Sequence, residues 1–124
     1  MNVCIKAMMD GDLDEVKNLL LKGEKKDFLI WASIYGKIDI VKYLVESEKF
    51  NVNEVDELGR TALYWASFHN KFEIVKYLVS KGADIIVKDE RGEPALDLAN
   101  REKEVDVCNY LENLKIKHER NIDF

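Results

Sequence analysis

Two stretches of this chain spell nearly the same sentence. Ile30 to Val45 reads IWASIYGKIDIVKYLV, and Tyr64 to Val79 reads YWASFHNKFEIVKYLV, 34 positions later. Such fixed-period self-similarity marks a chain built by stacking one supersecondary unit, and it constrains the fold before any other feature does. The period runs on. Gly59 and Gly92, Ala66 and Ala99, and Tyr77 and Tyr110 each stand 33 positions apart. The longer step between the second and third copies places one extra residue in the turn SEKFNVN (Ser47 to Asn53), which replaces SKGADII (Ser80 to Ile86). A surface turn is where an insertion is best tolerated. A fainter copy opens the chain, with Ala7, Gly11, Asp14, Val16, Leu19 and Leu20 in the places of Ala32, Gly36, Asp39, Val41, Leu44 and Val45. One domain of four copies is expected, at about 1–23, 26–53, 56–88 and 89–117, with a tail over 118–124.

Each copy reads as two short helices. In the third, Thr61 can cap a first helix carrying Ala62, Leu63, Trp65 and Ala66 at helical spacing. FHNK breaks it. Phe72 to Ser80 then forms a second helix with Ile74, Val75, Leu78 and Val79 on one face and Lys76 and Lys81 on the wet side. Gly82 follows as a left-handed C-terminal cap, and DERG closes a turn before the next copy. A pair of two-turn helices cannot bury its apolar stripe alone, so each copy must bury it on its neighbour. An all-α stack is expected, with Ala7, Ala32, Ala66 and Ala99 at equivalent helix–helix contacts, Trp31 and Trp65 packed in the core, and Met8 and Met9 packed in the first copy as a cap.

The spelling DELGRTALYWAS followed by KFEIVKYLVSKGAD resembles the ankyrin repeat, a 33-residue unit with G-x-T-P-L-H-x-A, an E-I-V-x-x-L-L helix and G-A-D. Gly59, Thr61, Leu63 and Ala66 stand at the first motif. Glu73, Ile74, Val75, Leu78, Gly82, Ala83 and Asp84 stand at the second. The resemblance implies a solenoid of helix pairs with hairpins protruding at about 49–60 and 82–93. Only EKKD separates Gly23 from Phe28, which leaves no room for a hairpin between the first two copies. There are departures. Ala62 stands at the family's proline and Tyr64 at its histidine, Asp27 and Ile30 replace threonine and histidine in the second copy, and the fourth has Pro94 one position early and Asp97 for histidine. These imply a weakened network of turn hydrogen bonds. Asn53 stands at the family's hairpin asparagine, where it is expected to bond its own turn; in this family such an asparagine can also be hydroxylated.

Bulk properties exclude several function classes. A net charge of −5 is a poor footprint for nucleic acid or an anionic membrane. No apolar run approaches the roughly 20 residues of a membrane span. The opening MNVCIKAMMDGDLDE lacks the pattern of a secretory leader, and Cys4 and Cys108 read as reduced, buried thiols, so an intracellular and most simply cytoplasmic protein is expected. His69 and His118 are the only histidines, with no zinc-ligand spacing around either, and no phosphate-binding loop or nucleophile elbow occurs. Acid pairs such as Asp12/Asp14 and Glu102/Glu104 read as helix starts. No catalysis, cofactor or metal is expected.

Function must then come from a surface. The resemblance implies binding of another protein through the inner, first-helix side of the stack and the hairpin tips. Carried over position by position, the candidate contacts are Ile34 and Tyr35, Phe68 and His69, Arg101 and Glu102 on inner helices, with Met9 and Asp10 in the first copy. On the hairpins they are Glu57, Leu58 and Arg60, then Glu90, Arg91 and Glu93, with Lys81 and Lys88 beside them. Ile34, Tyr35, Phe68 and His69 would form an apolar and aromatic strip ringed by charge, the composition of an interface hot spot. The expected protein is a monomeric binding module acting as an adaptor, competitor or subunit. The alternative is a structural repeat protein that self-associates through an end repeat, which concentration-dependent light scattering would reveal.

Overall fold

The computed structural model describes residues 3–85, 109–111, 113 and 114. Three helix–turn–helix pairs follow one another: α1 (Val3–Asp10) with α2 (Leu13–Leu21), α3 (Phe28–Ile34) with α4 (Ile38–Glu46), and α5 (Ala62–Phe68) with α6 (Phe72–Ser80). The first helices α1, α3 and α5 pack side by side in one layer, and α2, α4 and α6 form the second. Residues 109–111, 113 and 114 are helical and extend the stack past α6, with Leu111 buried and the Tyr110 ring edge-on to Phe72 at 5.6 Å. Between the second and third pairs a hairpin closes through the one isolated bridge among the described residues, Val55 to Thr61. No such bridge forms over 23–27. The fourth copy's Pro94, Asp97, Ala99 and Cys108, the second hairpin beyond Ile85, and His118 lie outside the described residues.

The helix ends show why the copies superpose. Each first helix stops on a left-handed residue: Gly11 at φ 69°, Gly36 at 72° and Asn70 at 55°. The next N–H turns back to a carbonyl five residues earlier, from Asp12 to Ala7 at 3.0 Å, Lys37 to Ala32 at 2.9 Å and Lys71 to Ala66 at 2.8 Å. The three acceptors are the repeating alanines. Their side chains are buried, Ala32 and Ala66 completely, because small residues let paired helices approach closely. Ser33 and Ser67 are also fully buried; each hydroxyl donates to a carbonyl one turn back, that of Leu29 or Leu63, at 2.8 Å. The expected Thr61 cap forms: its hydroxyl accepts from the Tyr64 N–H at 3.1 Å. Asp27, in the equivalent place, sits at φ 61°, outside the extended region that Thr61 occupies, and caps nothing with its side chain. Cys4 is buried, and burial raises its thiol pKa.

The second-helix layer carries a ladder between copies. Lys17 Nζ lies 4.9 Å over the Tyr43 ring, and Lys42 Nζ lies 5.8 Å over Tyr77 in the next copy. The Tyr77 hydroxyl donates to Glu46 of the preceding helix pair at 2.8 Å. Asn53 provides a second tie, and here the sequence reading is corrected. Its amide donates to the Gly82 carbonyl at 3.3 Å and accepts from the Asp84 N–H at 2.9 Å, so it joins two successive turns rather than closing its own. Asn51 does the local work, accepting the Asn53 N–H at 2.9 Å. Two other expectations also change. Met8 is fully buried but Met9 is 43% exposed. Trp31 and Trp65 are half-buried at the edge of the core, not within it.

Two outcomes test this packing. Ala66→Leu forces extra methyl groups into a closed helix joint and is expected to cost about 1–3 kcal/mol by denaturant titration; an unchanged midpoint would contradict the joint. Burial, then the hydrogen bond to Glu46 and that carboxylate's charge, pushes the Tyr77 phenol up to about 12. The unfolded chain releases this proton near pH 10, so its contribution is whole below about pH 10 and is lost as pH rises towards about 12. Unfolding titrations across that window are expected to show a steeper loss of stability in the native chain than in Tyr77→Phe.

Candidate functional site

The outward face of the first-helix layer is set by helical spacing. Trp65, Phe68 and His69 stand at i, i+3 and i+4, as do Trp31, Ile34 and Tyr35, so each trio shares one face. In α5 and its cap the rings form one cluster. Trp65 meets Phe68 edge-on at 5.8 Å, stacks with His69 at 6.1 Å and 23°, and Phe68 meets His69 at 4.9 Å. In the second copy Trp31 packs against the buried Phe28 at 6.1 Å. Ile34, Tyr35 and Phe68 are half-buried, and His69 is exposed. α3 and α5 are neighbours in one layer, so the expected four-residue strip lies on adjacent elements. Trp65 ties its third-copy half together.

The hairpin beside this strip is organised by one carboxylate. Asp56 Oδ1 accepts the N–H groups of Leu58 and Arg60, both at 2.9 Å, and Oδ2 accepts the Trp65 indole N–H at 2.9 Å. The Asp56 N–H closes the loop on the Arg60 carbonyl at 2.9 Å. Gly59, at φ 78°, takes the left-handed position this tight tip needs. Glu57 and Leu58 are thereby presented at the tip, Leu58 with 45% of its surface exposed. Arg60 turns inward. Its guanidinium lies 5.3 Å over Tyr64 and 5.2 Å over Trp65, so it joins the aromatic cluster rather than standing at the tip. Lys26 reaches Glu57 at 3.3 Å, an exposed pair of small energetic weight.

On the opposite edge, Lys71 lies across the end of α3; a Cβ on Gly36 would come within 3.1 Å of its Cδ. Partial desolvation, then the Lys71 charge, lowers the pKa of the His69 imidazole, which stacks on Trp65. Lys81 sits 5.7 Å over the Tyr77 ring. Glu90, Arg91, Glu93, Arg101, Glu102 and Lys88 lie outside the described residues. Among the described residues no three His, Cys, Asp or Glu side chains are grouped to hold a metal, and no helix is long and apolar enough to cross a membrane.

Sequence reasoning missed Trp65 and Asp56. The signal for the tryptophan was its i, i+3, i+4 spacing to Phe68 and His69; for the aspartate it was D-x-x-G, an Asx-turn spelling.

A family model describing ankyrin repeats in three copies matches residues 4–89, most of the chain. The chain belongs to the ankyrin-repeat family. No curated protein matches its sequence. Ankyrin repeats are generally protein–protein interaction modules and are typically not enzymes. Within this ankyrin-repeat protein, the Asp56 tip is expected to depend on a carboxylate at that position. Asp56→Ala is expected to cost about 1.5–3 kcal/mol, since it orphans three donors of a charge-assisted network. A red shift of the Trp65 emission should accompany it, and an unchanged spectrum would contradict the indole bond.

Proposed function

We propose that this protein binds a partner protein through the first-helix face of its repeats, with Ile34, Tyr35, Phe68 and His69 at the centre and Glu57, Leu58 and Arg60 at the flank. The observation that carries the reading is the aromatic cluster of Trp65, Phe68 and His69, two half-buried rings and an exposed imidazole on the first-helix layer. Large rings kept at a rigid surface supply contact area at little further ordering cost. Arg91, Glu93, Arg101, Glu102 and Glu90 would extend the same surface into the fourth copy. The protein acts without catalysis, as an intracellular monomer that serves as adaptor, competitor or subunit.

Affinity capture from the cells that make the protein, mass-spectrometric identification and binding of the purified partner provide the assay. Phe68→Ala and Tyr35→Ala are each expected to weaken binding by about 1–3 kcal/mol with unchanged circular dichroism. Lys76→Ala is the control. Its ammonium is 3.2 Å from Glu73 on the second-helix layer and should leave affinity unchanged. The reverse pattern, Lys76 critical and Phe68 silent, would move the interface to the other layer. Concentration-dependent growth in mass by light scattering would favour self-association instead.

A further inference from the structure

One ring of the first-helix strip can change its charge near neutral pH. Of Ile34, Tyr35, Phe68 and His69, the imidazole is the side chain whose ordinary pKa, about 6.5, lies there. His69 is the C-cap of α5 and remains exposed. Its ring lies on Trp65, with 6.1 Å between centroids and 23° between planes, and meets Phe68 edge-on at 4.9 Å. The Trp65 indole N–H is donated to Asp56 at 2.9 Å, so that residue offers the imidazole a ring face and no hydrogen bond. Among the described residues the imidazole has no hydrogen-bond partner, and water on its open side is what solvates a charge there.

The surrounding charges do not favour a further positive one. Partial desolvation, then repulsion from Lys71 two positions on, lowers the pKa of the imidazole. From the hairpin, the Arg60 guanidinium already lies 5.2 Å over Trp65, and the Asp56 carboxylate is taken up by the indole and two backbone N–H groups. From α3 the equivalent places bring Ile34 and Tyr35, neither a carboxylate nor an ammonium. In α6, Glu73 is paired with Lys76 at 3.2 Å. In the fourth copy the same places are Arg101 and Glu102, which lie outside the described residues. The imidazole therefore ionises below about pH 6.5, within reach of mild acidification.

We infer that His69 makes the first-helix face a pH-gated surface, which holds an apolar partner segment while the imidazole is neutral and releases it when acid ionises the ring. The inference rests on the reading that this face binds a partner protein. An apolar group laid over the Trp65–His69 stack strips water from the open side of the imidazole. A proton there would be left among rings that offer no acceptor, beside Lys71. The complex accordingly holds fewer protons than the free protein, and affinity falls as pH falls through the imidazole titration.

The test has a free-protein arm and a binding arm. Trp31→Phe leaves Trp65 as the single indole. Its emission is expected to drop in one step on acidification, with a midpoint below about pH 6.5, because an imidazolium quenches an indole stacked on it. His69→Phe is expected to remove the step. The purified partner recovered by affinity capture then supplies the binding arm. Its affinity for the native chain is expected to fall about fivefold or more between about pH 7.5 and about pH 5. His69→Phe should keep the tight state at both values, and His69→Arg, charged throughout, the weak one. A flat emission curve, a midpoint at or above about pH 6.5, or equal losses of affinity in native and His69→Phe protein would overturn the inference. The two readings fail separately. Phe68→Ala weakening a complex whose affinity ignores pH sinks the gate alone, whereas Phe68→Ala without effect sinks the face and the gate together.

Discussion

The close approach of α3 to α5 is the constraint on which the rest of the molecule depends. Neither helix is longer than two turns, and neither could hold its shape in isolation. Ala32 and Ala66 are fully buried and let neighbouring helices come close, and their carbonyls close the turns that launch α4 and α6. One residue type thus sets both the distance between helices and the direction of the chain leaving them. Because copies touch only their neighbours, everything further out, from the Tyr77–Glu46 bond to the Asn53 tie, repeats or fails one joint at a time.

That joint also sets the aromatic face. The rings of Trp65, Phe68 and His69 contact one another there, the two larger rings half-buried and the imidazole exposed. Asp56 then couples the hairpin to the same cluster through the indole, and Arg60 fills the space above Tyr64 and Trp65. Hairpin tip and helix face therefore form one pre-organised unit. Binding to such a unit loses little conformational freedom, which suits recognition by shape.

The period and the apolar stripes made the fold legible. They gave α6 its limits of Phe72 to Ser80, Thr61 its capping role, and Ala7, Ala32 and Ala66 their burial, because these depend on neighbours within a few residues. What the sequence concealed was whatever depends on the stack itself. Asn53 looks like a residue bonding its own turn, since its true partners at Gly82 and Asp84 come near only when copies pack. Trp31 and Trp65 look like core by composition, and only their spacing to Ile34, Tyr35, Phe68 and His69 separates them from the buried face. The inserted residue near Lys49 was visible, but not that a lysine would take the left-handed place. The strip was legible as a pattern of places, and its linkage to Asp56 was not.

The account's central claim, that the first-helix face is the recognition surface, is tested most directly by site-specific photo-crosslinking in the cells that make the protein. A benzophenone side chain at position 68 is predicted to give a discrete covalent adduct with one partner protein, while the same group at position 76 gives none. An adduct from position 76 and none from position 68 would contradict the claim and place recognition on the second-helix layer.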